Sequence, residues 1–307
     1  MTPKTLARIA GWAISLACLA FFVRHVQKVG ISTPGHAVIE NIGFVLAGSI
    51  LYAAAVLILA LTWAMMLRRA LPPGTGPRPL VESYLLGQFA KYLPGNVLQY
   101  AARHGLGVKA GISHSQLIGA AFSEIYLLIC SGAAIAVAAG LPELTGVLDD
   151  WPALPNWLCI LPLAAAFAVS APAKFLPATR WLPNLPVGQV ATATCGYLAF
   201  FAAFGGLYWL CLAWSIHVGV DPAPALSTAS FAWLAGFVIP GAPAGAGLRE
   251  AVLSVGMAPL PTAEVAASIV LFRLITLGGD FVAFIGGWLL SRGKAPNKNI
   301  EARKPYT

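Results

Sequence analysis

The sequence predicts an all-α polytopic membrane protein, and three observations predict it. Of its 307 residues, 58% are hydrophobic and only 10% charged, where an ordinary soluble domain is about a quarter charged. Several apolar windows reach the roughly 20 residues needed to cross a hydrocarbon core of about 30 Å. Two further apolar stretches are too short to cross, and each is broken by Pro-Gly.

Full spans are expected near 6–23, 42–67, 116–140, 157–172, 192–217 and 265–290. In the first, Lys4 and Arg8 precede a short apolar run as in a signal peptide. No small-x-small cleavage site follows it, so it is read as a span. The window at 157–172 is the shortest of the six. Cys18, Cys130, Cys159, Cys195 and Cys211 fall singly inside spans, without metal-ligand spacing, and read as small buried hydrophobes.

Between these spans lie LVESYLLGQFAKYLPGNVLQYAARHGLGVKAG, residues 80–111, and STASFAWLAGFVIPGAPAGAGLREAVLSVGMAP, residues 227–259. Each opens with an apolar segment of about ten to fourteen residues, a length typical of re-entrant pieces. Each then meets Pro-Gly, where proline stops the helix and glycine lets the chain reverse. Arg103 follows Gly95, and Arg249 follows Gly241, at the same offset. A full span closes each unit. The expected organisation is one transmembrane domain, 1–290, with a first repeat at about 42–140 and a second at about 192–290, and a basic tail, 291–307. Counted as crossing, the two hairpins raise the six spans to eight.

Lysine and arginine placement sets the orientation. With both termini in the cytoplasm, fifteen of the 19 basic residues fall on that side, while Glu40, Glu143, Asp149, Asp150, Asp221 and Glu264 fall outside. The net charge of +8 is then a topogenic bias and calls for no nucleic acid. The first hairpin enters from the cytoplasm and the second from outside. That is an inverted repeat, the arrangement by which secondary transporters build midplane sites from broken helices.

Non-helical backbone at membrane depth must face protein or a water-filled cavity. Pro94, Gly95, Pro240, Gly241, Gly245 and Gly247 are therefore the expected hinge or cavity backbone. Asn96 is a good N-cap for the first return limb. Helix N-termini and arginines favour anions, so Arg103 and Arg249, with Lys91 and Asn96, suggest a site for a phosphate-bearing ligand. Glu124, Arg273 and Asp280 lie inside spans, where ionisable groups mark pathways. Arg273 and Asp280 share a helix face. Glu250 beside Arg249 is either part of the site or simply its ion-pair partner. The alternative for Lys91 and Arg103 is snorkelling to the interface, and for Arg273 and Asp280 a structural pairing with Glu124. His104 and His114 read as surface residues, and Trp12, Trp63 and Trp209 as lipid or interface packing.

GQFAKYLPGNVLQYAARHGLG, with IPGAPAGAGLREAVL and the later LFRL, resembles the lysylphosphatidylglycerol synthase transmembrane family of flippase-like proteins over residues 40 to 290. The resemblance implies a polytopic lipid transporter. Some members carry a soluble aminoacyl transferase domain; residues 291–307 are too few for one, so lipid aminoacylation is not expected of this chain. The implied partners are membrane lipids bearing phosphate, in a bacterial inner membrane, with homo-oligomerisation left open. The resemblance also implies an alternative, a polyprenol-linked glycosyltransferase. No metal spacing or nucleophile-base pair supports catalysis, and no metal or other cofactor is called for. A non-transporting scaffold for a lipid-modifying enzyme is a third class, which would not need charges within the bilayer.

The topology is testable with single cysteines at Gly95 and Gly241 in a background lacking the five native ones. Membrane-impermeant thiol reagent is expected to reach position 95 from the cytoplasm and position 241 from outside. Labelling of both from one side rules out the inverted repeat.

Overall fold

The computed structural model describes residues 42–92, 98–140, 155–170, 185–216, 219–238 and 245–292. The expected span at 6–23, the hinge residues Pro94, Gly95, Pro240 and Gly241, Asn96, and residues 293–307 of the tail lie outside them.

All regular structure among the described residues is helical. The helices are α1 (Ile42–Leu67), α2 (Arg78–Gly87), α3 (Leu98–Lys109), α4 (His114–Ala138), α5 (Ile160–Phe167), α6 (Val187–Ile216), α7 (Pro222–Val238), α8 (Leu248–Gly256) and α9 (Thr262–Arg292). Four of them, α1, α4, α6 and α9, are long and apolar enough to cross a membrane. They match four of the expected spans. On α1, Val45, Tyr52 and Trp63 are buried while Leu46, Ile50 and Leu61 are exposed. A helix apolar on every face belongs in lipid or deep in a core, so the architecture is compatible with a membrane-embedded protein. The expected span at 157–172 is a shorter piece, Asn156–Ser170, made of α5 between two 3-10 turns. It leans on α4, where the Tyr126 hydroxyl donates to the Ala165 carbonyl.

Local sequence explains the boundaries. Ser113 and Gln116 form a reciprocal capping box that starts α4. Gly140, at φ 79°, follows its last turn in a left-handed conformation that costs glycine little. The second apolar limb begins earlier than its sequence suggests: α7 starts at Pro222, not near residue 227. The Asp221 carboxylate accepts from the Ala223 amide, and Pro222 at the first helical position gives up only a donor that the helix does not use.

Contacts between helices give their directions. Gln189, at the start of α6, donates to the carbonyls of Met65 and Met66 at the end of α1. At the other end Phe44 stacks on Trp214 with ring centroids 4.5 Å apart. So α1 and α6 are antiparallel, and the hairpins that follow them start from opposite ends of the bundle. The first limb α2 runs antiparallel to α9: Arg78 donates to the Leu290 carbonyl, Phe89 packs on Phe284, and Lys91 meets Asp280. A 3-10 turn, Gln88–Tyr92, extends α2 to this point. At Lys91 it lies about 18 Å from the end of α9, near the middle of that helix. From the other end α7 runs antiparallel to α4, with the Ser227 hydroxyl donating to the Ala136 carbonyl.

The order long helix, two short limbs, long helix therefore occurs twice, as α1 to α4 and α6 to α9. Each first limb packs on the long helix before it, on its own return limb, and on the long helix that closes the other unit: α2 on α9, and α7 on α4. The units are interlocked. Within the second unit Phe200, Phe204 and Tyr208 of α6 and Phe272 of α9 form a buried aromatic seam, and Tyr52 of α1 meets it at Phe204.

Small residues set the closest approaches, as in membrane helix pairs. A Cβ on Gly279 of α9 would lie 2.7 Å from the Ser49 backbone carbonyl oxygen on α1. Gly279→Ala is expected to cost about 1 to 3 kcal/mol of stability by overpacking. Gly206→Ala, where nothing lies within 4 Å, should cost nothing. Thermal unfolding of the two variants in detergent checks the contrast.

Candidate functional site

The two hairpins approach each other near mid-bundle. Gln88 and Lys91 from the end of the first limb, Gln99, Tyr100 and Arg103 from α3, Trp233, Gly236 and Phe237 from α7, and Arg249 from α8 line one cavity of about 60 Å³. Tyr52, Glu124 and Phe200 from the long helices close its walls. The arginines of both Pro-Gly units thus face the same space.

Three ion pairs surround it. Arg103 Nη1 lies 3.0 and 2.9 Å from the two carboxylate oxygens of Glu124, and both side chains are buried. The Arg103 guanidinium also sits 3.5 Å from the centre of the Tyr84 ring, with Tyr100 and Trp63 further out. Lys91 Nζ lies 2.7 Å from Asp280 Oδ1 and 3.2 Å from Gln88 Oε1, and the Tyr92 hydroxyl donates to Asp280 Oδ2. Arg273 Nε donates to Glu250 Oε1, while Glu250 Oε2 accepts from the Gly247 amide at the start of α8. Every one of these carboxylates is engaged on both oxygens.

Arg249 is the exception. Its Nε is buried without a hydrogen-bond partner, and its guanidinium lies 5.6 Å from the centre of the Trp233 ring. It forms no ion pair among the described residues. Among the described residues around this space, Lys91, Arg103 and Arg273 pair with Asp280, Glu124 and Glu250, and Arg249 has no paired carboxylate. An isolated cation at this depth is costly unless it finds an anion.

Both arginines are seated in the same way. A Cβ on Gly87 would lie 3.0 Å from Arg103 Cγ, and a Cβ on Gly236 would lie 2.7 Å from Arg249 Cγ. In each hairpin a glycine on the first limb makes room for the arginine of the return limb. In the second, Gly245 at φ 70° adds a turn that an L side chain rarely adopts, and its own Cβ would lie 2.8 Å from Arg249 Nε. Gly247, at φ 88°, follows the same rule.

Sequence reasoning named Lys91, Arg103, Glu124, Arg249, Glu250, Arg273 and Asp280, and the fold gathers all seven around the two hairpins. Several expected relationships are corrected. Glu250 binds Arg273 rather than its neighbour Arg249, because adjacent residues on a helix point apart. Glu124 binds Arg103 rather than Arg273 or Asp280. Although they share a face of α9, Asp280 faces the first hairpin, and Arg273 lines a separate space of about 10 Å³ beside Arg249. Trp63 is buried near Arg103 instead of meeting lipid. His114 is exposed and His104 half-buried, and their rings bond to each other. Gly87, Gly236, Gln88, Gln99, Tyr84 and Tyr100 were missed. The first two had one available signal, since both precede their Pro-Gly in a short apolar limb that gains nothing else from glycine.

Such a cluster can hold one small anionic group at Arg249 and orient it with the neighbouring amides and phenols. Among the described residues no three histidines, cysteines or carboxylates gather as a metal site.

The Arg103–Glu124 pair generates a stability prediction. Glu124→Gln leaves a buried guanidinium without a counter-charge and is expected to cost about 3 to 5 kcal/mol. The double replacement Arg103→Met with Glu124→Leu should recover most of that loss. Unfolding midpoints of the single and double variants measure both.

No protein-family model and no curated relative matches this sequence; the site stands on its own geometry, two pairs of short helices from opposite ends of a helical bundle that line one cavity around an arginine with no ion pair among the described residues.

Proposed function

We propose that this chain is a flippase-like lipid transporter that moves an anionic, phosphate-bearing lipid between leaflets. The two interlocked units act as an inverted repeat in a bacterial inner membrane, with both termini cytoplasmic. The reading agrees with the resemblance to the lysylphosphatidylglycerol synthase transmembrane family. The observation that carries it is Arg249, an unmatched cation in a cavity bounded by hairpins from both ends of the bundle.

The size of the cavity supports a cycle rather than a fixed receptor. About 60 Å³ has room for a few waters, each needing about 10 to 15 Å³ of such space, and is small for a lipid head group. In this reading the small cavity corresponds to a closed state, and binding requires the two hairpins to part. Each return limb is held to the long helix that follows it, α3 to α4 through Arg103–Glu124 and α8 to α9 through Glu250–Arg273. A hairpin and its closing helix can move together. Anions favour guanidinium over ammonium where the phosphate is held at two points.

The charge pairing revises the role of Arg103. Expected to share with Arg249 in holding phosphate, it is paired with Glu124 here and serves first as the brace of its hairpin. The glycosyltransferase alternative draws no support here. The three carboxylates at the cavity are all matched by cations, and Asp221 is used as a helix cap.

The test is movement of fluorescent phosphatidylglycerol in proteoliposomes, scored by the fraction of label accessible to an added quencher. Arg249→Ala is expected to slow it by about ten- to a hundredfold, the equivalent of a charge-assisted hydrogen bond of about 1.5 to 3 kcal/mol. Arg249→Lys should fall between, and zwitterionic phosphatidylcholine should be far slower in the parent. If Arg249→Ala moves phosphatidylglycerol at the parental rate, the arginine is not the anion site.

A further inference from the structure

Of the three ion pairs among the described residues, two lie within a unit and one joins the two. Arg103–Glu124 connects α3 to α4, and Glu250–Arg273 connects α8 to α9. Lys91–Asp280 instead ties the tip of the first hairpin to the closing helix of the second unit. Tyr92 from the same tip holds the other oxygen of Asp280. Any motion that carries the end of the first limb away from α9 must break this contact.

Consider what breaking it leaves. The Asp280 side chain is 1% exposed and that of Lys91 16% exposed, and Asp280 lies near the middle of a helix long and apolar enough to cross a membrane. Lys91 and Tyr92 from the first hairpin bond Asp280 directly; Tyr52 of α1 stands beside it, Arg249 of α8 and Arg273 of α9 lie near Tyr52 in the same cluster, and Phe204 of α6 packs on the Tyr52 ring. Arg273 is held by Glu250. Lys91 is thus the one cation in direct contact with Asp280, and a carboxylate that loses such a partner at low dielectric takes up a proton instead.

We propose that the Lys91–Asp280–Tyr92 contact is a proton site that couples lipid movement to proton movement. The inference rests on the transport reading above. An anionic head group arriving at Arg249 draws the Lys91 ammonium away from Asp280 and pairs with it. The Asp280 carboxylate then accepts one proton from the water that fills the parted cavity. When the head group leaves toward the other side, Lys91 returns, Asp280 releases its proton, and the contact closes again. One proton accompanies one anionic lipid. No covalent bond changes, and the cluster never holds Asp280 as a bare buried charge.

The charge balance agrees with this exchange. With Asp280 ionised and bound to Lys91, the cluster offers one unmatched positive charge, at Arg249. With Asp280 protonated, it offers two, Arg249 and Lys91. The loaded state can therefore match a phosphate group carrying up to two negative charges.

The experiment uses the full chain in vesicles of phosphatidylcholine containing fluorescent phosphatidylglycerol, with a trapped pH dye and an imposed pH gradient. For one proton per cycle, a step of about one pH unit should change the phosphatidylglycerol rate by up to about tenfold, accelerating in one sense and slowing in the other. A protonophore should abolish the difference. Asp280→Asn should end the gradient response and the dye signal, and Asp280→Glu, which keeps a titrating group, should restore both. Parental movement that ignores the gradient overturns the coupling and leaves the transport reading standing. A dye signal that survives in Asp280→Asn, or a glutamate variant that inserts normally but restores neither signal, also overturns it. If the parent moves phosphatidylglycerol no faster than protein-free vesicles, the transport reading fails and the coupling with it.

Discussion

The structure depends on one constraint, that a helix ending halfway along an apolar bundle must be enclosed by protein. The described part of the first limb reaches Tyr92 beside the middle of α9, and that of α7 reaches Val238 alongside α4. In a membrane, backbone without intrahelical partners at such a depth must face protein rather than hydrocarbon. The fold brings the two first limbs to one cavity from opposite ends and packs each against the long helix that closes the other unit. The antiparallel pairing of α1 with α6 follows, since only that arrangement puts the two hairpins at opposite ends. The glycines follow too. Gly87 and Gly236 occupy the positions where a return limb carrying an arginine must pass close to its first limb.

Charge obeys the same constraint with one deviation. Buried ion pairs contribute little net stability but are damaging when broken, and each of these pairs fixes a particular piece of the fold. Arg103–Glu124 sets the distance between α3 and α4; Glu250 both caps α8 and anchors α9. The polarity is exchanged between units, with the cation on the return limb in one and on the closing helix in the other. The exchange frees Arg249. Had Glu250 reached back to Arg249, the second unit would repeat the first, and the cavity would hold no unmatched charge.

Much of this was legible in the sequence because the signals were long or strongly local. Twenty-residue apolar windows located α1, α4, α6 and α9, and Pro-Gly after a short limb located both hairpins. The shared offset of Arg103 and Arg249 singled out the two residues that face one cavity. Partners were not legible. Arg249 and Glu250 are neighbours in sequence and diverge in space by about 100° of helical turn, while Glu250 and Arg273 meet only once α8 folds back on α9. The start of α7 was also hidden, since Asp221 and two prolines read as a loop until the cap is seen. Trp63 was misjudged for a related reason: in a helix apolar on all sides, hydropathy does not say which face meets protein.

The two units are alike in topology and unlike in chemistry, and the difference bears on function. A bundle with two equivalent hairpins would hold a ligand equally from either end. Here the first hairpin carries Lys91, bound across the interface to Asp280, and the second carries Arg249, bound to no carboxylate among the described residues. The first tip is therefore latched to the opposite unit by a contact that must be broken, while the second brings the group with which an anion can pair at once. In the proposed transport cycle, opening and binding fall to different halves of a nearly symmetric frame. That division lets the arrival of an anion at one hairpin alter the latch on the other, because both cations compete for negative charge in a space of about 60 Å³.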